Sequence, residues 1–193
     1  MKKKIIITGG LGYIGTELCK LYSGVSWNHK ITVIDNRFIS ERVNQLRNWN
    51  MNFIQGDILD KELINLHCAD ADIIHHLAGV TDVPRTKTDS NQIKDDKIKL
   101  VAQEGTQNIL NAISDECKII FPSTHVVYEG IEKVKNNISE EETLKPVLSY
   151  SESKALNEKQ LKNSGKNYII LRLGSVYGYS TDTARIDIMP NLF

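Results

Sequence analysis

Short apolar runs alternate with longer amphipathic segments along most of the chain. The runs are rich in isoleucine and valine, as is typical of strands buried on both faces of a parallel sheet. They lie at residues 5–8, 30–34, 52–55, 72–79, 118–121 and 167–172. Between them, apolar side chains at three- and four-residue spacing predict helices at 16–22, 40–47, 61–66, 91–114 and 150–161, with Ser40 and Asp60 as N-caps. This alternation predicts an α/β fold, a doubly wound Rossmann-type parallel sheet in a three-layer α/β/α arrangement.

Three glycines spaced three residues apart, Gly9, Gly12 and Gly15, follow the first strand directly. In a strand–turn–helix context, Gly9 allows the tight turn, Gly12 lets a pyrophosphate approach the backbone, and Gly15 lets the helix pack on the strand. The free N–H groups and the positive dipole end of the following helix would face the phosphates. The spacing predicts a dinucleotide site, and a purely structural turn is the alternative.

A carboxylate ends the second predicted strand. Asp35 lies 20 residues after Gly15, which is the expected place for a side chain that binds a ribose 2′-hydroxyl. Because a carboxylate there repels a 2′-phosphate, Asp35 favours NAD over NADP. The neighbouring Arg37 weakens that preference.

A tyrosine and a lysine four residues apart, Tyr150 and Lys154, lie on one face of the last predicted helix. An ammonium group beside a phenol favours the phenolate, so the tyrosine can lose and regain a proton near neutral pH. Thr124 or Ser123, at the end of the fifth strand, could align a substrate oxygen. The alternative is a surface pair without a role in catalysis.

These segments together resemble the extended short-chain dehydrogenases/reductases, in particular the NAD-dependent epimerase/dehydratase group that acts on nucleotide sugars. The matching motifs lie at residues 8–15, 33–36, 56–58, 76–79, 105–110, 150–154 and 171–178. With the glycine turn, the resemblance implies a catalytic triad of Thr124, Tyr150 and Lys154. It implies an NAD site formed by Gly9, Gly12, Tyr13, Ile14, Gly15, Asp35, Asn36, Asp57, Ile58, Leu77, Ala78, Gly79, Tyr150 and Lys154.

The chain departs from the family pattern at several positions. Ala102 occupies the place of an active-site asparagine in the long helix. Dehydratases of the family place Asp-Glu after the threonine, whereas this chain has His125 and Val126, which disfavours dehydration. The family's Val-Tyr-Gly is extended by Glu129, a pattern similar to one in deoxysugar 4-ketoreductases. We expect residues 1–180 to form the NAD(P)-binding domain and residues 181–193 to begin a truncated or missing substrate domain.

The resemblance implies an NAD-dependent nucleotide-sugar epimerase, most similar to UDP-glucose 4-epimerases, that oxidises the sugar transiently at C4. One alternative is an NAD(P)H-dependent deoxysugar 4-ketoreductase that uses the same triad. Another is a non-catalytic NAD(H)-binding module, which the short length and Ala102 favour. The resemblance also implies a possible homodimer through the long helix and the Tyr150 helix, although both could equally be buried against the sheet.

Composition narrows the class of protein further. The 193 residues carry 24 Lys+Arg and 24 Asp+Glu, a balance that argues against a nucleic-acid partner. The sequence shows neither an apolar run of membrane-spanning length nor a signal-peptide core. The three cysteines have no metal-ligand spacing, so we expect buried thiols in a reducing cytoplasm. His75 and His76 adjoin on a strand, so they should point to opposite faces as structural side chains.

Overall fold

Six parallel strands form one sheet in the order β3-β2-β1-β4-β5-β6 in a computed structural model that describes residues 2–80 and 91–180. The strands are β1 (Lys4–Thr8), β2 (Lys30–Asp35), β3 (Asn52–Gln55), β4 (Ile73–His76), β5 (Lys118–Thr124) and β6 (Asn167–Leu173). The chain moves outward on one side of β1 and then crosses to the other side at β4, so the two halves of the sheet meet between β1 and β4. The predicted Rossmann-type sheet is confirmed, and all six predicted strands are present.

In the part of the chain that the structure describes, six α-helices connect the strands: α1 (Tyr13–Ser23), α2 (Ser40–Asn48), α3 (Lys61–Cys68), α4 (Gln92–Leu100), α5 (Thr106–Ala112) and α6 (Ser149–Asn163). The predicted long helix is present, but a π-helical turn at Val101–Gly105 divides it into α4 and α5. Asp60 caps α3 as expected, by accepting a hydrogen bond from the Leu63 N–H at 3.0 Å. The cap predicted for α2 was wrong, because Ser40 is already helical and Ile39 is the N-cap residue.

Alternate side chains of β1 enter two separate cores. Ile6 packs with side chains of α3, α5 and α6, including Ile64, Ile109 and Leu161. Ile5 and Ile7 pack on the opposite face with side chains of α1 and α2. A core on each face of the sheet is what the near-continuous apolar strands require, and it confirms the three layers.

The three cysteines are buried free thiols, Cys19 in one core and Cys68 and Cys117 in the other. Burial raises the pKa of the Cys19 and Cys68 thiols to about 12 and that of Cys117 to about 11. These groups therefore behave as small apolar side chains. Across residues 2–80 and 91–180, no helix has the length and apolar content needed to cross a bilayer.

Several large apolar side chains are exposed rather than buried. They include Leu21, Leu66, Ile93 and Leu100, and Trp27 is also exposed. In α4 the reason is its position, since this helix packs against α6 rather than on the sheet and buries only Ile98. A repeat of apolar residues thus predicted the helix but overstated how much of its surface the sheet covers.

The two-core arrangement makes a direct prediction about stability. Ile119 of β5 is 0% exposed, so Ile119→Ala should lower the free energy of unfolding by about 2–5 kcal/mol through the lost transfer energy and the cavity left behind. Leu66→Ala is the matched control, because Leu66 is 73% exposed and its truncation should change stability by no more than about 0.5 kcal/mol. Urea denaturation measures both, and equal losses in the two variants would contradict the assigned core.

Candidate active site

The turn between β1 and α1 is closed by direct backbone contacts. Gly9 has a φ of +70°, and a Cβ there would lie 2.6 Å from the Ala78 nitrogen. A Cβ on Gly15 would lie 2.4 Å from the Gly9 carbonyl oxygen. Any side chain at either position would push apart β1, the β4 loop or the start of α1. The glycines that the sequence singled out therefore hold three backbone segments closer together than any other residue allows.

The first turn of α1 lies at the carboxyl end of β1. Gly12 is its N-cap residue, and no side chain among the described residues caps it. Tyr13 and Ile14 begin the helix, and the Tyr13 hydroxyl donates a hydrogen bond to the Gly178 carbonyl. Helix N–H groups without a side-chain cap, together with the dipole, are suited to bind a phosphate.

Asp35 ends β2 beside this turn and is buried. Its carboxylate accepts hydrogen bonds from the Leu11 N–H at 3.0 Å and the Arg37 N–H at 3.1 Å. The Arg37 guanidinium adds an ion pair at 3.2 Å and lies 3.8 Å from the position that a Cβ of Gly12 would occupy. Asp35, which is expected to bind a ribose, is thus paired with Arg37, the residue that weakens the predicted preference for NAD over NADP.

The ends of β2 and β3 are joined by polar side chains. The Asn36 amide donates to the Asp57 carboxylate at 3.0 Å, and Asp57 in turn accepts from the Leu59 N–H at 3.0 Å. Ile58 is buried under Gly105, where a Cβ would lie 2.3 Å from its side chain. Asn36, Asp57 and Ile58 therefore lie together beside the Asp35 end of the sheet.

The segment after β4 lies against the glycine turn. The Leu77 N–H donates to the Thr8 carbonyl at 3.0 Å, and the Ala78 N–H donates to the Thr8 hydroxyl at 3.3 Å. Gly79 is exposed. Leu77, Ala78 and Gly79 thus continue the row of strand ends that begins with Gly9 and Asp35.

Lys154 of α6 is directed at the end of β5. Its ammonium group donates to the Pro122 carbonyl at 2.8 Å and lies 4.4 Å from the centre of the Phe121 ring. It lies 5.9 Å from the centre of the Tyr150 ring, so the predicted pair shares one face of the helix. Burial lowers the pKa of Lys154 to about 8, because a desolvated ammonium is less stable than a solvated one.

The two hydroxyls at the end of β5 have different partners. Ser123 donates to the buried Glu158 carboxylate at 2.6 Å, so its hydroxyl is engaged in the interior. The Thr124 hydroxyl accepts from the Val126 N–H at 3.3 Å and caps a 3₁₀ turn at His125–Tyr128. Of the two side chains considered from the sequence, Thr124 is the one at the strand end that is not bound to the interior carboxylate.

A buried polar network lies beneath the site. One ring nitrogen of His76 lies 2.9 Å from the Thr8 hydroxyl, and the other lies 3.0 Å from the Thr106 hydroxyl. The Asn157 amide donates to Thr106 at 2.9 Å and to the Ala102 carbonyl at 2.8 Å. The network joins β1, β4, the π-helical turn and α6, and burial and the Lys154 charge lower the pKa of His76 to about 3.

The two adjacent histidines serve opposite faces of β4, as the sequence predicted. His75 contacts the Tyr22 hydroxyl of α1 at 2.8 Å, whereas His76 contacts Thr106 of α5. Within residues 2–80 and 91–180, no cluster of three His, Cys, Asp or Glu side chains is arranged to hold a metal ion.

Sequence reasoning missed the ion pair that fixes α6 to the sheet. Arg172 of β6 donates to the buried Glu158 carboxylate through Nε at 2.9 Å and Nη2 at 2.6 Å. Arg172 and Lys154 stood in recognised motifs, and Glu158 lies one helical turn after Lys154. That spacing was the available signal, because a carboxylate on the buried face of a helix requires a cation or several donors.

The fold and the row of strand ends define a class of protein, the dinucleotide-binding Rossmann domains. The chain belongs to the NAD dependent epimerase/dehydratase family, whose family model matches residues 5–191. The resemblance drawn from the motifs is therefore confirmed at the level of the family.

Individual relatives carry several activities. The chain is 29% identical to a dTDP-D-glucose 4,6-dehydratase of Dictyostelium discoideum, over 91% of this chain and 44% of the relative. It is 29% identical to a UDP-glucose 4-epimerase of Lactobacillus helveticus, over 93% of this chain and 53% of the relative. Among solved structures it is similar to a UDP-glucuronic acid 4-epimerase from Bacillus cereus in complex with NAD and UDP-4-deoxy-4-fluoro-glucuronic acid. The TM-score is 0.79 at 26% identity, over 97% of this chain and 60% of that one.

The chain spans about half the length of the curated relatives it matches. Three features of this structure suit a dinucleotide: the turn formed by Gly9, Gly12 and Gly15, which we call the glycine cradle, the N-terminus of α1, and the buried Asp35 carboxylate. Residues 181–193, which we expect to begin a truncated or missing substrate domain, lie outside the residues that the structure describes.

The buried histidine predicts an acid-sensitive fold. The pKa of His76 is about 3 in the folded chain and near 6.5 when unfolded, so the unfolded state binds the extra proton first as the pH falls. Its contribution to stability is complete above pH 6.5 and is lost toward pH 3, at a rate of up to about 1.4 kcal/mol per pH unit. Urea denaturation between about pH 7 and 5 measures the slope.

His76→Gln should flatten that slope, whereas His125→Gln, at an exposed position, should leave it unchanged. The imidazole resonances of the unaltered chain provide a second measurement, because His76 should remain neutral down to about pH 4. Protonation of His76 near its ordinary pKa would contradict the buried network.

Proposed function

We propose that this chain is the NAD-binding and catalytic part of a nucleotide-sugar 4-epimerase. The observation that carries the proposal is the Lys154 ammonium, which lies beside Tyr150 and the end of β5 in a fold whose glycine cradle suits NAD. The similar proteins named above support the proposal, since two of the three are 4-epimerases. The one among them whose structure is solved, the Bacillus cereus enzyme, contains NAD.

The chain's residues would hold NAD along the row of strand ends. Gly9, Gly12 and Gly15 would admit the pyrophosphate, with the first N–H groups of α1 at Tyr13 and Ile14 directed toward it. Asp35 would accept hydrogen bonds from the adenosine ribose. The adenine would lie beside Asn36, Asp57 and Ile58, and the remaining contacts would come from Leu77, Ala78, Gly79, Tyr150 and Lys154.

The reaction assigned to the site is a reversible proton transfer coupled to transient oxidation. Bound NAD supplies an acceptor that takes and returns a hydride. The Tyr150 oxygen would accept the proton of the sugar 4-hydroxyl and later return it, while the Lys154 charge stabilises the phenolate. The Thr124 hydroxyl would hold the same sugar oxygen. The 4-keto sugar would turn over in the site, so that the hydride returns to the opposite face of C4 and the proton to the oxygen; the configuration at C4 inverts and the reaction consumes no NAD.

Dehydration is the family activity that this site supports least. His125 and Val126 follow Thr124 where dehydratases of the resembling group place Asp-Glu. These two positions therefore do not supply the acid and base that those dehydratases use for loss of water. We assign two partners to this chain, a nucleotide sugar and a second copy of the chain. For the second copy, Ile93 and Leu100 of α4 offer exposed apolar side chains.

The proposed reaction predicts that turnover depends on the Tyr150 hydroxyl oxygen. Tyr150→Phe should lower interconversion of UDP-glucose and UDP-galactose by about a hundredfold or more, because the general base is lost. NAD affinity, measured by calorimetry, should fall far less than the rate, because the other proposed NAD contacts remain. Tyr168→Phe on β6 is the matched control and should keep full activity.

Three results would redirect the proposal. Net consumption of NADH with a 4-keto sugar would indicate the ketoreductase. NAD binding without turnover of any nucleotide sugar would indicate a binding module. Full activity in Tyr150→Phe would exclude Tyr150 as the base.

The cofactor assignment makes a second prediction. Asp35→Asn keeps an acceptor for the Leu11 N–H but removes the charge, so NAD affinity should fall by about tenfold and the preference over NADP should shrink. Asp70→Asn, an exposed carboxylate at the opposite end of the sheet, is the control. Unchanged affinity for both cofactors in Asp35→Asn would contradict the role of Asp35.

A further inference from the structure

Glu129 forms an unexpected contact with the start of α6. Its Oε1 atom accepts hydrogen bonds from the Val147 N–H at 2.9 Å and the Leu148 N–H at 2.8 Å, and it also accepts from the Ser151 hydroxyl. One carboxylate oxygen thus binds three donors around the first turn of the helix that carries Tyr150 and Lys154.

Helix α6 needs such a partner because its own N-cap is apolar. Leu148 occupies the N-cap position and its side chain has no oxygen to accept from the first N–H groups. Ser151 satisfies part of the need, since its oxygen lies 3.1 Å from the Leu148 nitrogen. The Glu129 carboxylate accepts from the same Leu148 N–H and from the Val147 N–H, and it places a negative charge at the positive end of the helix dipole.

The same residue is attached rigidly to the end of β5. Thr124 caps the 3₁₀ turn at His125–Tyr128, and Glu129 follows as the C-cap residue of that turn. The Lys145 N–H donates to the Val127 carbonyl at 2.9 Å, and the Gly130 N–H donates to the Lys145 carbonyl at 2.8 Å. Glu129 lies only five residues after Thr124, and its carboxylate binds the start of α6. The Thr124 hydroxyl is therefore linked to the Tyr150 helix by a short, hydrogen-bonded segment.

We propose that Glu129 is a positioning residue that sets Tyr150 against Thr124 by clamping the N-terminus of α6 to the turn after β5. The role rests on the proposed function, because it matters only where the two hydroxyls act on one substrate oxygen. This role explains why a glutamate extends the Val-Tyr-Gly pattern, because the triad of Thr124, Tyr150 and Lys154 does not itself require Glu129. A displacement of about 1 Å at the reacting oxygen costs on the order of a hundredfold in rate.

The experiment compares Glu129→Ala, Glu129→Gln and the control Glu132→Gln in the full chain. Glu132 is an exposed glutamate on the same loop, so its substitution removes the same charge without touching α6. Hydrogen exchange over residues 145–153 should rise by about fivefold or more in Glu129→Ala, as expected for loss of a helix cap. Exchange over residues 154–163 should stay at the wild-type rate, and Glu129→Gln should fall between the two.

Turnover then separates a positioning role from a merely structural one. In Glu129→Ala, kcat should fall by about ten- to a hundredfold while KM for the sugar and Kd for NAD change by less than about twofold. Glu132→Gln should match the wild type in every measurement. Wild-type exchange in Glu129→Ala would overturn the clamp, and faster exchange with an unchanged kcat would overturn the positioning role.

The failure of this inference is distinct from failure of the proposed function. A wild-type chain that binds NAD but converts no nucleotide sugar would refute the function. The exchange experiment would still decide whether Glu129 holds α6, because it needs no substrate.

Discussion

The contact between Gly9 and the Ala78 backbone is the constraint on which the rest of the site depends. It holds the end of β1 against the segment after β4, where the two halves of the sheet meet. From that contact, hydrogen bonds run through Thr8 and His76 to Thr106 of α5, and from there to Asn157 of α6. The position of the Tyr150 helix is thus tied to the glycine turn through buried polar groups rather than through apolar packing alone.

That choice of interaction has an energetic consequence. Buried hydroxyl, imidazole and amide groups cost free energy unless each finds its partner, so the network tolerates one arrangement and excludes neighbouring ones. The Glu158–Arg172 pair acts in the same way on the other side of α6, where Ser123 satisfies the carboxylate as well. Loss of Arg172 would leave the Glu158 charge unpaired in the interior, which is strongly destabilising, so the pair constrains where α6 lies on β6.

The sequence was most informative where one residue type is the only physical solution. Gly9 and Gly15 were predictable because no side chain fits at those contacts, and the strands because both of their faces are buried. The exposure of Ile93 was not predictable, since periodicity does not say which helix covers another. The hydrogen bond between Asn157 and Thr106 and the contact of Glu129 with the start of α6 depend on distances between segments far apart in the chain. Spacing within one helix carries no information about such contacts.

The two helices that meet the site treat their N-termini in opposite ways. Helix α1 begins at Gly12, which offers N–H groups and no side-chain oxygen, and its first turn carries no acidic residue. Helix α6 has Leu148 as its N-cap residue and the Glu129 carboxylate beside its N-terminus. An anion that approaches the carboxyl edge of the sheet therefore meets no acidic residue in the first turn of α1, whereas it meets the Glu129 carboxylate at the start of α6. This difference supports the proposal that a phosphate binds at the glycine turn and that an uncharged sugar hydroxyl lies at Tyr150.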